Sequence, residues 1–242
     1  MTVPLSCPWA TMDERAPRRR GRTSEYRLFW RGFKRLAAIF AFTLTLGATP
    51  AAASQTVIAV LGDSLVAGFG LAADEAFPAR LEAALREAGE DVRVINAGVS
   101  GDTSAGGLAR LDWVLGDSPD IVLVELGSND SLRGLDPAAT FDNLEAIVTR
   151  LKARAVTVML AGMMAPRNLG RDYVTAFDAI YPRLAEKHDV ALYPFFLDGV
   201  ALDPALNQAD LIHPNPKGVD VIVGKILPSV RAVLQNHRRA TN

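Results

Sequence analysis

Thr56-Val57-Ile58-Ala59-Val60-Leu61 is a run of six residues without a charge, and it stops at Gly62-Asp63-Ser64-Leu65. A short apolar run that ends at a glycine reads as a buried strand, because a strand covered on both faces needs no polar alternation. Four further runs are likewise short, largely apolar and β-branched: 92–96 (VRVIN), 120–126 (DIVLVEL), 155–161 (AVTVMLA) and 190–195 (VALYPF). Between the strands lie helical patterns at about 77–88, 104–115, 138–153, 171–187 and 217–235. In the third of these, Leu144, Ile147, Val148 and Leu151 recur at helical spacing, and Asp136-Pro137 supplies a start signal. Strand–helix alternation repeated in this way predicts an α/β fold of one domain, a three-layer α/β/α sandwich around a five-stranded parallel sheet.

The first 53 residues have a different composition. They carry nine Lys or Arg against three acidic residues, whereas 54–242 carry 17 basic against 24 acidic. The basic head leads into the apolar stretch 36–46 (LAAIFAFTLTL) and then Ala51-Ala52-Ala53. That order is the pattern of a secretory signal peptide, so 1–53 is expected to be removed before Ser54 and the product to be periplasmic or secreted. The apolar stretch is short for a stable membrane span, and a true start at Met12 is an alternative. The acidic body argues against nucleic acid as a partner, since phosphate contacts need clustered Lys and Arg. The single cysteine, Cys7, lies in the head, so thiol catalysis and Cys-containing zinc sites are excluded for the body.

Chemistry is expected at the carboxyl ends of the strands, where doubly wound sheets bind their ligands. Three Gly-rich polar segments fall there: Gly62-Asp63-Ser64, Asn96 to Gly101, and Gly127-Ser128-Asn129-Asp130. A serine hydroxyl needs a base that works near neutral pH, and the chain has three histidines. His237 lies in a basic tail and reads as a solvated surface residue. His188 ends a helix, where a cation is favoured. His213 stands in Asp210-Leu211-Ile212-His213-Pro214-Asn215, with Asp210 placed to reach back and fix its tautomer. Ser64 is the matching nucleophile, and Asp63 reads as a helix cap without a catalytic role. Gly101 offers a backbone N–H that a substrate can approach, and Asn129 offers side-chain N–H donors for an oxyanion.

These four blocks occur in order, and together they resemble the signature blocks of the GDSL (SGNH) hydrolases over essentially all of 56–235. The branch they look most like is the bacterial periplasmic one of thioesterases, lysophospholipases and arylesterases. The resemblance implies a flavodoxin-like sheet, Ser64 as nucleophile, His213 as base and Asp210 as its orienter. It implies an oxyanion hole made of the Ser64 N–H, the Gly101 N–H and Asn129. No metal or cofactor is implied, and the partner is a small ester or thioester met by a monomer. Ser128 departs from the branch's usual alanine. The segment Met163 to Gly170 departs from a loop that shapes the acyl pocket in the family. Three other readings stand beside this one. They are a sugar O-acetyl esterase of the same family, a non-catalytic binding domain, and a dinucleotide enzyme suggested by Gly68-Phe69-Gly70-Leu71-Ala72-Ala73.

Overall fold

A computed structural model describes residues 55–241, so the expected signal peptide lies outside the described residues. The five strands are β1 (Thr56–Gly62), β2 (Val92–Gly98), β3 (Ile121–Glu125), β4 (Thr157–Ala161) and β5 (Ala191–Tyr193). All pair in parallel, in the order β2-β1-β3-β4-β5, which is the flavodoxin-like order. The chain leaves β1 toward β2 and then crosses to β3 on the other side of β1. The carboxyl ends of β1 and β3 therefore flank the switch point, and Gly62 stands in register with both Gly98 and Glu125. β3 is buried at every residue, as its run of Ile, Val and Leu up to Glu125 requires.

Helices cover both faces. In chain order they are α1 (Ser64–Ala67), α2 (Phe77–Glu87), α3 (Ser104–Ala109), α4 (Leu111–Leu115), α5 (Ser128–Leu132), α6 (Pro137–Ala153), α7 (Arg171–Asp178), α8 (Ile180–His188) and α9 (Pro216–Thr241). Helix α9 packs on α2, while α6 packs on α3 and α8. The start of α6 is the one its sequence announces: Asp136 accepts the Ala138 N–H at 2.9 Å, and Pro137 occupies the first turn. Its Leu144, Ile147, Val148 and Leu151 are all buried. Among the described residues no helix is long and apolar enough to cross a membrane.

The helices differ from the sequence pattern at three places. The stretch 104–115 breaks at Arg110, whose side chain is drawn inward to Asp102 and to the Gly62 carbonyl. The stretch 171–187 breaks at Ala179 because Pro182, three residues on, has no N–H and its ring excludes the carbonyl of Asp178 from a continuous helix. Helix α9 runs past 235 to Thr241, so the expected solvated tail is instead anchored. His237 Nδ1 lies 2.8 Å from Thr157 Oγ1, and Arg231 and Arg238 both reach Glu90, at 3.2 and 2.6 Å. Two short helices, α1 and α5, carry no periodicity that a sequence could show.

Gly98 sets how closely the end of β2 approaches α1. A Cβ there would lie 2.2 Å from the Ala67 backbone nitrogen and 2.8 Å from the Val66 carbonyl carbon, both in the helix behind Ser64. Backbone atoms cannot move aside as a side-chain tip does. Gly98→Ala should destabilise the protein by about 3 kcal/mol, the upper part of the overpacking range. Urea unfolding at constant m-value measures it, and a loss under about 0.5 kcal/mol would contradict this packing account.

Candidate active site

The turn after β1 is built by Asp63. Its carboxylate is wholly buried, and Oδ1 accepts the Leu65 N–H at 3.0 Å, capping the helix that Ser64 opens. Gly68, in the left-handed conformation at φ 80°, closes that helix after one turn. Gly62 is required by space rather than by turn geometry. A Cβ on it would fall 2.3 Å from Val66 and within 2.8 Å of Glu125. Three elements approach one another closely at this glycine.

The loop before α9 brings the histidine in. Asp210 Oδ1 accepts the backbone N–H groups of Ile212 and His213, each at 3.0 Å, while Oδ2 meets His213 Nδ1 at 2.7 Å. His213 Nε2 then lies 2.8 Å from Ser64 Oγ. Ser64, His213 and Asp210 therefore form one hydrogen-bonded chain in the order expected from the sequence. Those three bonds from the His213 backbone, the His213 ring and the Ile212 backbone hold Asp210 down to about 2. Asn207 and Asn215 tie the same loop internally, and Asn215 accepts the Gly218 N–H at the start of α9.

The oxyanion candidates surround Ser64. The backbone N–H groups of Ser64 and Gly101 meet no acceptor among the described residues. Gly101 adopts φ 84°, and the position of a Cβ there is open except for an Arg133 nitrogen at 3.7 Å. Arg133 donates to the Gly101 carbonyl at 2.8 Å and so orients that peptide. Asn129 differs from the simplest expectation, because Nδ2 already donates twice, to Asp63 Oδ2 at 3.0 Å and to the Asp102 carbonyl at 2.9 Å.

Several residues at the site are not among the candidates that the sequence pattern singles out for ester chemistry. Phe69 packs on His213 with ring centroids 4.6 Å apart and the rings tilted by 37°, and Gln208 holds the Phe69 carbonyl at 2.7 Å. The Gly68-Phe69-Gly70 segment thus packs on the histidine, beyond the strand turn where a dinucleotide fingerprint belongs. Glu125 lies fully buried behind the Ser64 turn. Its signal was available, as the one acid within the otherwise apolar run Ile121 to Leu126. Burial raises Asp63 to about 6 despite the bonds from Leu65 and Asn129, and burial together with the Asp63 charge pushes Glu125 well above the carboxylate range. Among the described residues no cluster of His, Cys, Asp or Glu could hold a metal ion.

Beside these groups runs a groove of about 510 Å³. It starts at Ser128, next to Asn129, and at Leu211 and Ile212, next to His213, and it is walled by Met163, Met164 and Phe195. Two rim residues, Leu202 and Leu211, are exposed leucines held at positive φ, 62° and 57°. Backbone strain together with solvent-facing apolar surface points to a role in binding.

A serine-to-histidine-to-aspartate chain at the carboxyl edge of a doubly wound sheet is the arrangement of a serine hydrolase. The chain belongs to the GDSL-like lipase/acylhydrolase family, whose model matches residues 60–221, and it is accordingly an ester-hydrolysing enzyme. It is 41% identical to esterase TesA of Pseudomonas aeruginosa, over 77% of this chain and 92% of that protein. It is 46% identical to thioesterase 1/protease 1/lysophospholipase L1 of Escherichia coli K12, over 68% of this chain and 78% of the other. A crystal structure of TesA superposes with a TM-score of 0.70 at 40% identity, covering 74% of this chain and 99% of that one.

The Asp210 geometry has a pH consequence. A carboxylate held below its ordinary value stays charged until the pH falls through about 2, so it keeps its grip on His213 across the acid range. Loss of activity in mild acid must then come from other groups. Asp210→Asn should lower kcat by roughly 10²–10⁴-fold with KM little changed, by losing the tautomer. Steady-state kinetics of the variant checks this, and a kcat within threefold of wild type would contradict it.

Proposed function

We propose that the protein is a serine esterase and thioesterase for acyl chains longer than acetate, with Ser64 as nucleophile, His213 as general base and Asp210 as the group that orients it. Ser64 Oγ attacks the ester carbonyl while His213 Nε2 takes its proton. The Ser64 and Gly101 N–H groups receive the oxyanion. Asn129 joins them by sharing the hydrogen now given to the neutral Asp102 carbonyl, because the bond to the Asp63 carboxylate is the stronger of its two. His213 then protonates the leaving alcohol or thiol and activates the water that frees the acid. The 2.8 Å contact between Ser64 and His213 carries this reading.

The substrate class rests on the groove. Its lining by Met163, Met164, Phe195 and Leu211 suits an alkyl chain and offers few partners to a sugar. The relatives named thioesterase, lysophospholipase and esterase favour the same class over sugar acetates. The expected signal peptide supports a periplasmic or secreted enzyme, and the product is expected to act as a monomer.

Two experiments test the proposal. A fluorophosphonate should label the wild-type protein on Ser64, and Ser64→Ala should lose both the label and at least about 10⁴-fold in kcat; labelling elsewhere would remove Ser64 from this role. On p-nitrophenyl esters, kcat/KM should climb from acetate to hexanoate by up to about fourfold per methylene, the equivalent of burying one CH₂. A maximum at acetate would reject the acyl-groove reading and leave the nucleophile untouched.

A further inference from the structure

Glu125 ends β3 beside the Ser64 turn, and no step of the acyl transfer uses it. Its carboxyl group is fully buried. Oε2 accepts one long bond, 3.4 Å from the Asp63 N–H, and Oε1 meets no donor among the described residues. Arg110 is the nearby cation, but it donates to the Gly62 carbonyl and pairs with Asp102 at 2.6 Å. Although its Nη1 is also buried without a partner, no nitrogen of it pairs with Glu125 among the described residues. A charge buried with so few donors is far costlier than a neutral acid in the same place. Asp63 is buried as deeply, yet each of its oxygens accepts a bond, one from Leu65 and one from Asn129.

We propose that Asp63 and Glu125 form a pair that carries one charge between them. Glu125 stays the neutral acid, so that Asp63 alone holds the charge that caps the Ser64 helix and orients the Asn129 amide. Asp63 is then the positioning residue, linking two parts of the oxyanion hole, the helix that bears the Ser64 N–H and the amide of Asn129, and Glu125 is its neutral neighbour. The strong upward displacement of Glu125, from burial first and the Asp63 charge second, agrees with this division. The groups facing the pair are His213 and Asp102 toward Asp63, and Tyr181 toward Glu125, with Asp130 and Asp178 facing Tyr181. Tyr181 gives its hydroxyl hydrogen to the Leu126 carbonyl rather than to Glu125.

The charge state can be tested without any catalytic assumption. A buried acid that is neutral when folded releases its proton on unfolding above the ordinary glutamate value of 4.5. Stability then falls as pH rises. The unfolding constant of wild type relative to Glu125→Gln should increase about tenfold per unit from about pH 5 to pH 8. A difference that is flat with pH would overturn the proposal. If the variant does not fold, isotope-edited infrared spectra of wild type with ¹³C-labelled glutamate decide at pH 8. A protonated-carboxyl band is expected, and ionised bands alone would overturn it.

The kinetic consequence rests on the esterase reading of Ser64. Glu125→Gln should keep kcat within about twofold and leave the acid limb in place. A limb displaced to lower pH, as removal of a negative neighbour produces, would show that Glu125 was charged. Asp63→Asn keeps a good helix cap but has one acceptor oxygen where two are needed. It should lower kcat about tenfold or more with KM nearly unchanged. A wild-type kcat in this variant would overturn the positioning role. If Ser64 instead fails to react with fluorophosphonate, the esterase reading falls while the stability measurement still reports on Glu125.

Discussion

The site depends on how closely the ends of β1 and β2 approach the single turn of helix that begins at Ser64. Gly62 and Gly98 face each other across the sheet, one against Val66 and Glu125, the other against the backbone of Val66 and Ala67. With no side chain at either position, the helix settles directly onto the strand ends. Ser64 is thereby presented at the switch point of the sheet, opposite Asn129 from β3 and within reach of a histidine from the last loop. Neither glycine needs an unusual backbone angle; each is needed for the volume that it leaves empty.

Around that contact the acids divide by environment. Asp210 is partly open to solvent and carries its charge because three N–H groups hold it, one of them from the His213 ring. Asp63 and Glu125 lie in the dry interior, where charge is expensive and donors are few. Asp102 is neutralised by Arg110, and Asp130 is held by Ser104 and Thr140. One fold thus holds carboxylates with separate tasks, distinguished by how many donors each one finds.

Much of this is legible in residue order. The largely apolar strands, the cap and proline of the 137–153 helix, and the Asp-x-x-His spacing all rest on local chemistry, which a sequence displays. Legibility ends where distance in the chain hides proximity in space. Phe69 meets His213 across nearly the whole domain, and Gln208 reaches back to the same segment. In the sequence Asn129 reads as a free donor, although its partners Asp63 and Asp102 come from two other strand ends. His237 reads as solvated because a basic tail looks frayed, whereas Thr157 and Glu90 fasten that last helix to elements far upstream. The helix broken at Ala179 is a different case, since Pro182 announces it and the apolar periodicity on either side obscures it.

Leu202 and Leu211 bear on how such an enzyme could be made hardier. A leucine in the left-handed region costs about 1–2 kcal/mol relative to a relaxed backbone, and glycine would relieve that cost. Both leucines belong to the rim of the groove, so the same exchange would strip apolar surface from the place where the proposed acyl substrate would lie. Heat tolerance and hold on the substrate therefore pull against each other at these two positions. Selection for thermal endurance alone would be expected to erode them first.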